Sequence, residues 1–169
     1  VGRNALLDNT TGKCNVGMGY GALANNTTAD NNVAIGANSM EVNTTGTGVA
    51  IGMNSLQANT TGTGNVSVGK DSLDSNTTGS NNTAVGLDAL QNNSTASDST
   101  AVGSNALFVS TGQRNVAIGS CSLKTNTTGT NNVASGYRSM FNNTEGCESV
   151  ALGYSSLDAN TTGDFNIAI

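Results

Sequence analysis

Residues 66–82 read VSVGKDSLDSNTTGSNN, and the same pattern, V-A-I-G-x-x-S-L-x-x-N-T-T-G-x-N-N in consensus, runs through the whole chain. Its first glycine recurs at Gly2, Gly19, Gly36, Gly52, Gly69, Gly86, Gly103, Gly119, Gly136 and Gly153, at successive intervals of 17, 17, 16, 17, 17, 17, 16, 17 and 17 residues. A fixed period of this length is the signature of a stacked repeat, in which each unit buries its apolar side against its neighbours. Four residues after each glycine stands Leu6, Leu23, Met40, Leu56, Leu73, Leu90, Leu107, Leu123, Met140 or Leu157. All ten are apolar and unbranched at Cβ, so this column is the expected core ladder. The two 16-residue units lose a residue before Val49 and near Val109 and Ser110, in both cases outside the V-A-I-G segment.

Within a unit, segments such as Val33-Ala34-Ile35 and Val116-Ala117-Ile118 alternate large and small with β-branched residues, which marks a strand. The large residues face one way and alanine the other. The alanine face is expected to suit close packing against another chain. Gly19, Gly36, Gly52, Gly69, Gly86, Gly103, Gly119, Gly136 and Gly153 permit a turn after each strand. The S-L pair then predicts a second short strand with leucine on the core side, and N-T-T-G predicts a turn. The fold class is therefore an all-β, parallel β-solenoid (a β-roll) of ten coils, 16–17 residues each. At ~4.8 Å per strand, ten coils make a rod of roughly 48 Å. Residues 1–169 read as one continuous solenoid without caps, a segment of a longer chain. Each coil offers little apolar surface, which points to an oligomer.

Composition narrows function. The chain has no Trp, Pro or His, only three Tyr and three Phe, a net charge of −5 and 10% charged residues. That balance lacks the basic footprint of nucleic-acid binders, and no apolar run is long enough for a membrane span in this segment. With no histidine as base and carboxylates confined to variable columns, no catalytic, cofactor or metal site is expected, and the chain reads as not an enzyme. Cys14, Cys121 and Cys147 lack metal-ligand spacing. Cys14 and Cys147 read as one column eight coils apart, roughly 38 Å at the same spacing, too far for a disulfide. They are expected to be buried or weakly exposed thiols, with cross-chain links as the alternative.

The motif Asn32-Val33-Ala34-Ile35-Gly36-Ala37-Asn38-Ser39, repeated as Asn115-Val116-Ala117-Ile118-Gly119-Ser120-Cys121-Ser122, resembles the head repeats of YadA-like trimeric autotransporter adhesins. It is also similar to repeats of phage tail fibres and microbial surface fibres. The resemblance implies a left-handed β-roll, three chains side by side, and attachment to a host surface, matrix or glycan. It implies an extracellular place, on a cell or a virion. The adhesin repeat is shorter than this one, which adds an N-T-T-G turn.

Two polar columns offer candidate sites. Asn9, Asn26, Asn43, Asn59, Asn76, Asn93, Asn126 and Asn160 each begin an N-x-[ST] triplet in the regular turn, so they could carry N-linked glycans, or be turn chemistry alone. Further triplets begin at Asn25, Asn65, Asn81, Asn92 and Asn142. Thr11, Thr28, Thr45, Thr61, Thr78, Thr95, Thr111, Thr128 and Thr162 form a threonine column that raises an ice-binding alternative, against a structural ladder. Scattered Leu7, Met53, Leu87, Phe108 and Phe141 could mark a contact surface or simple drift. The expected role is a structural or adhesive rod of an extracellular fibre. A single-chain solenoid polymerising end to end into a filament is the alternative, and an ice-binding solenoid the third.

Overall fold

The computed structural model describes residues 2–169, which contain no helix. Ten short strands carry the fold: β1 (Val16–Met18), β2 (Val33–Ile35), β3 (Gly48–Ile51), β4 (Asn65–Val68), β5 (Thr83–Val85), β6 (Thr100–Val102), β7 (Val116–Ile118), β8 (Val133–Ser135), β9 (Val150–Leu152) and β10 (Ile167–Ala168). They form one sheet in chain order, each paired in parallel with the next. Parallel neighbours require a crossover of a dozen or so residues. The rest of each unit is that crossover, so the chain winds as a parallel β-solenoid.

Register is kept column by column. Val33, Ala34 and Ile35 stand opposite Val49, Ala50 and Ile51, across the first 16-residue unit. Thr100, Ala101 and Val102 likewise face Val116, Ala117 and Ile118 across the second. Both deletions are absorbed in the crossover, where register does not depend on them.

Two expectations need correction. The alanines do not form an outer face: Ala34, Ala50, Ala84, Ala101, Ala117, Ala134 and Ala151 are completely buried. The flanking β-branched residues point outward, with Ile51, Val85, Val102 and Ile118 all more than a third exposed. The coil is so thin that a leucine reaching in from the opposite wall leaves room for a methyl group and no more. Ser67 takes the alanine place in β4, and its buried hydroxyl donates to the Ser72 carbonyl at 2.8 Å.

Nor does the S-L pair form a second strand. Leucines in this column have left-handed backbone, with φ of 53° at Leu23, 55° at Leu56 and 52° at Leu90, and so does the residue two before, as at Asp88 with φ 56°. Two left-handed residues separated by one make a corner rather than a strand. A left-handed leucine costs roughly 1–2 kcal/mol. Burial of its side chain offsets this at about 1.5–3 kcal/mol, and the Leu90 N–H also donates to the Ala106 carbonyl of the next coil at 3.0 Å. From Leu23 to Met140 the whole column is fully buried, while Leu6 and Leu157 pack partly buried against it.

After each of β1–β9 the chain turns at glycine. Gly86 has φ 134°, and a Cβ placed there would lie 2.7 Å from the carbonyl carbon and oxygen of Gly103. Glycine stacks on glycine from coil to coil because no other residue allows that approach. Gly86→Ala should therefore lose at least the roughly 1–3 kcal/mol of a strained backbone, and Leu90→Ala about 2–5 kcal/mol. Leu7→Ala, at an exposed position, should stay within about 0.5 kcal/mol. Denaturant titration checks the order; equal losses for Leu90→Ala and Leu7→Ala would refute the core described here.

Candidate functional site

Half of each coil's interior is amide rather than hydrocarbon. In the N-T-T-G turn, the Asn76 side-chain amide donates to the Gly79 carbonyl at 3.0 Å, closing its own turn. It also donates to Asn59 Oδ1 of the preceding coil at 3.0 Å, while its own Oδ1 accepts from Asn93 at 3.1 Å. A second column does the same on the approach to the strand. Asn82 donates to the Ala96 carbonyl at 2.8 Å, and its Oδ1 accepts from the Ser99 N–H at 3.0 Å. A fully buried asparagine is tolerated because each of its groups has a partner.

This geometry decides the glycan sites. Asn26, Asn43, Asn59, Asn76, Asn93 and Asn126 have no exposed surface. The nitrogen that would carry a sugar is the ladder's donor. Glycosylation of this column is incompatible with the folded rod. Asn9 and Asn160, half-buried, make the same turn-closing bond to Gly12 and Gly163. Among the remaining triplets Asn65 is buried, whereas Asn25, Asn81, Asn92 and Asn142 are exposed. The signal was present in the sequence: an asparagine fixed in type, three residues before a fixed small residue, is a turn-closing side chain.

The adjacent threonines differ in role. Thr60 and Thr77, the first of each pair, donate their hydroxyls to the Thr77 and Ser94 carbonyls of the next coil at 2.9 and 3.0 Å. The second of each pair, including Thr78 and Thr95, is exposed. Thr111 bonds like a first threonine, to the Thr127 carbonyl at 2.7 Å, because Ser110 takes the asparagine place and one threonine is missing. The free threonine column is thus interrupted in that coil.

One column beyond the leucines, neighbours in successive coils are matched in chemistry. Gln57 donates to Glu41 at 2.7 Å. Further along, the Lys124 ammonium lies 5.7 Å from the Phe108 ring and 5.8 Å from Phe141, so both phenylalanines pair with one cation. The Arg138 guanidinium covers Phe141 at 4.2 Å and meets Asp158 at 3.4 Å. Tyr137 and Tyr154 stack with centroids 5.6 Å apart. Asp74, in this column, has its carboxyl raised above the usual range, first by burial and then by the Asp71 charge.

No cleft and no group of three or more metal-ligating side chains occurs among the described residues. The cysteines are free thiols, Cys121 and Cys147 half-buried but Cys14 exposed, against the expectation of a buried or weakly exposed group. Cys14 and Cys147 do not share a column: Cys14 has left-handed backbone like Glu148, and Cys147 stands one place earlier, where its sulfur accepts from the Thr130 N–H. The two outward columns of the sheet, one on either side of the buried alanines, are mostly apolar, with Thr83, Thr100 and Ser135 as their polar members. No family model, curated protein or solved structure matches the chain.

Two measurements test this site. Asn76→Ala orphans a buried donor and acceptor in adjacent coils and should cost roughly 1–3 kcal/mol for each group left unpaired, whereas exposed Asn92→Ala should be near neutral. For Asp74, a raised folded pKa means the folded state holds its proton more tightly, so this group's contribution to stability falls as pH rises through the raised value. Asp74→Asn should raise the thermal midpoint at pH 7, with the gain vanishing below the ordinary carboxylate range. A constant gain at all pH values would refute the burial effect.

Proposed function

We propose that this chain is a stiff structural and adhesive rod of an extracellular fibre, on a cell or virion surface, working through mechanics and repeated weak contact rather than catalysis. The observation that carries this reading is the unbroken register of the ten strands, with asparagine and threonine ladders linking most successive coils and a break at Ser110. Such a chain grows by ~4.8 Å per coil and resists bending because every coil is bonded to its neighbours at several places around its circumference. The outer columns repeat at the same interval, so a ligand that binds one coil weakly meets the next at high effective concentration. The likeness to adhesin heads and fibre repeats supports the same role and a homo-oligomer, with three chains as the expected number.

Small-angle scattering of this chain and of versions carrying one or two added copies of 66–82 tests the rod. Its length should grow by about 4.8 Å per added copy; a constant maximum dimension would overturn it. Beads coated with the protein should be retained on matrix proteins or surface glycans more than beads coated with heat-unfolded protein. Equal retention would leave a spacer without adhesion.

A further inference from the structure

We propose that Asn25 and Asn92 are the positions at which the folded rod accepts an N-linked sugar, in place of the regular asparagine column that burial closes to modification. The assignment goes beyond the reading of a fibre and does not rest on it. Each residue begins a triplet, Asn25-Asn26-Thr27 and Asn92-Asn93-Ser94, set one place ahead of the ladder asparagine. That offset turns the acceptor outward. Asn25 and Asn92 are exposed, whereas Asn26 and Asn93 beside them have no exposed surface.

Exposure alone admits four triplets, and hydrogen bonding selects two of them. Asn81 donates its side-chain amide to the Asp98 carboxylate at 3.1 Å, and Asn142 donates to the Asp158 carbonyl at 2.9 Å. The Thr144 hydroxyl, which completes the Asn142 triplet, is held by the Thr161 carbonyl at 3.0 Å. In the turns at 25–29 and 92–96, by contrast, the side-chain bonds are those of the ladder residues Asn26 and Asn93. The amides of Asn25 and Asn92 and the hydroxyls of Thr27 and Ser94 are free. Both groups matter in an N-x-[ST] acceptor, the amide nitrogen as nucleophile and the hydroxyl two residues on as the recognised partner. The backbone makes the same selection. In other turns the first threonine N–H donates to the next coil, as at Thr60, Thr77 and Thr144, but the N–H groups of Thr27, Thr28, Ser94 and Thr95 do not. These two turns stand directly before the two 16-residue units, which begin at Gly36 and Gly103. A turn without such bonds opens locally at less cost, and an acceptor must lift from the surface to enter an enzyme's cleft. The donor is a sugar activated as its nucleoside diphosphate. The asparagine nitrogen bonds to the anomeric carbon, the bond from that carbon to the phosphate oxygen breaks, the nucleoside diphosphate leaves with the electron pair, and the nitrogen releases one proton.

The test incubates the folded chain with a soluble N-glycosyltransferase and UDP-glucose, and locates hexose by intact mass and peptide mapping. Hexose should enter Asn25 and Asn92 roughly tenfold faster than Asn81 and Asn142, whose side-chain bonds must break first. Asn25→Gln/Asn92→Gln, at exposed positions, should lose this fast incorporation while keeping the circular dichroism of the wild type. Asn142→Gln should leave it unchanged. A synthetic peptide of residues 70–84 should take hexose at Asn76, which the folded chain protects. A folded chain that takes no hexose, or takes it equally fast at Asn81 and Asn142, overturns the assignment. Hexose at Asn76 of the folded chain, or a peptide left unmodified there, overturns the claim that folding selects the sites.

Discussion

Everything in this molecule follows from stacking one backbone on another, in parallel and in register, at the spacing of a β-sheet. That constraint reaches beyond the three-residue strands. At the glycine after each of β1–β8, the backbones of adjacent coils approach so closely that a single Cβ would collide. At the leucine corner the same left-handed pair recurs in each unit because a coil with a different corner could not lie on its neighbours. A residue is therefore chosen less for its own coil than for the copy of itself above and below.

The same constraint explains a core that is half amide. Hydrocarbon side chains in the coil's second half would leave buried carbonyls of the turn, such as that of Gly79, short of partners. A planar carboxamide does not. It presents a donor to one neighbour and an acceptor to the other, and its remaining hydrogen closes the local turn, as Asn76 does with Gly79. The polar interior is thus satisfied by translation symmetry, and Ser110 shows the price of breaking it: the Asn93 and Asn126 amides are not linked across that coil.

The period, the leucine ladder and the solenoid class were legible because spacing alone reveals them, and two missing residues do not disturb a strand register set elsewhere. Orientation was not legible. Alternation in Val33-Ala34-Ile35 places the large residues on one side and alanine on the other, but it does not say which side is inside. The gap between the strand and the facing leucine column decides that, and the gap depends on the leucine corner, whose left-handed backbone no propensity scale assigns to leucine. The inward direction of the asparagines was masked, despite their regular column, for a related reason: Asn-Thr-Thr-Gly is turn chemistry, and a turn is ordinarily at the surface. Here the turn's side chain points inward because its neighbours in adjacent coils complete its hydrogen bonds.

Once inside and outside are assigned, the molecule divides its labour by column. The inward columns hold glycine, alanine, leucine and asparagine with little variation, since each residue answers to two copies of itself. The outward columns are free of that demand, and they are where the chain becomes particular: glutamate and glutamine in one half of the rod, and phenylalanine with lysine and arginine in the other. Even there, neighbours are matched coil by coil, so a change in one outer residue is felt by the next at the distance of a sheet spacing. The sheet face varies less: its outward side chains are apolar apart from Thr83, Thr100 and Ser135, and none is charged. Exposure alone does not require that character, since threonine is equally at home on a solvated strand face.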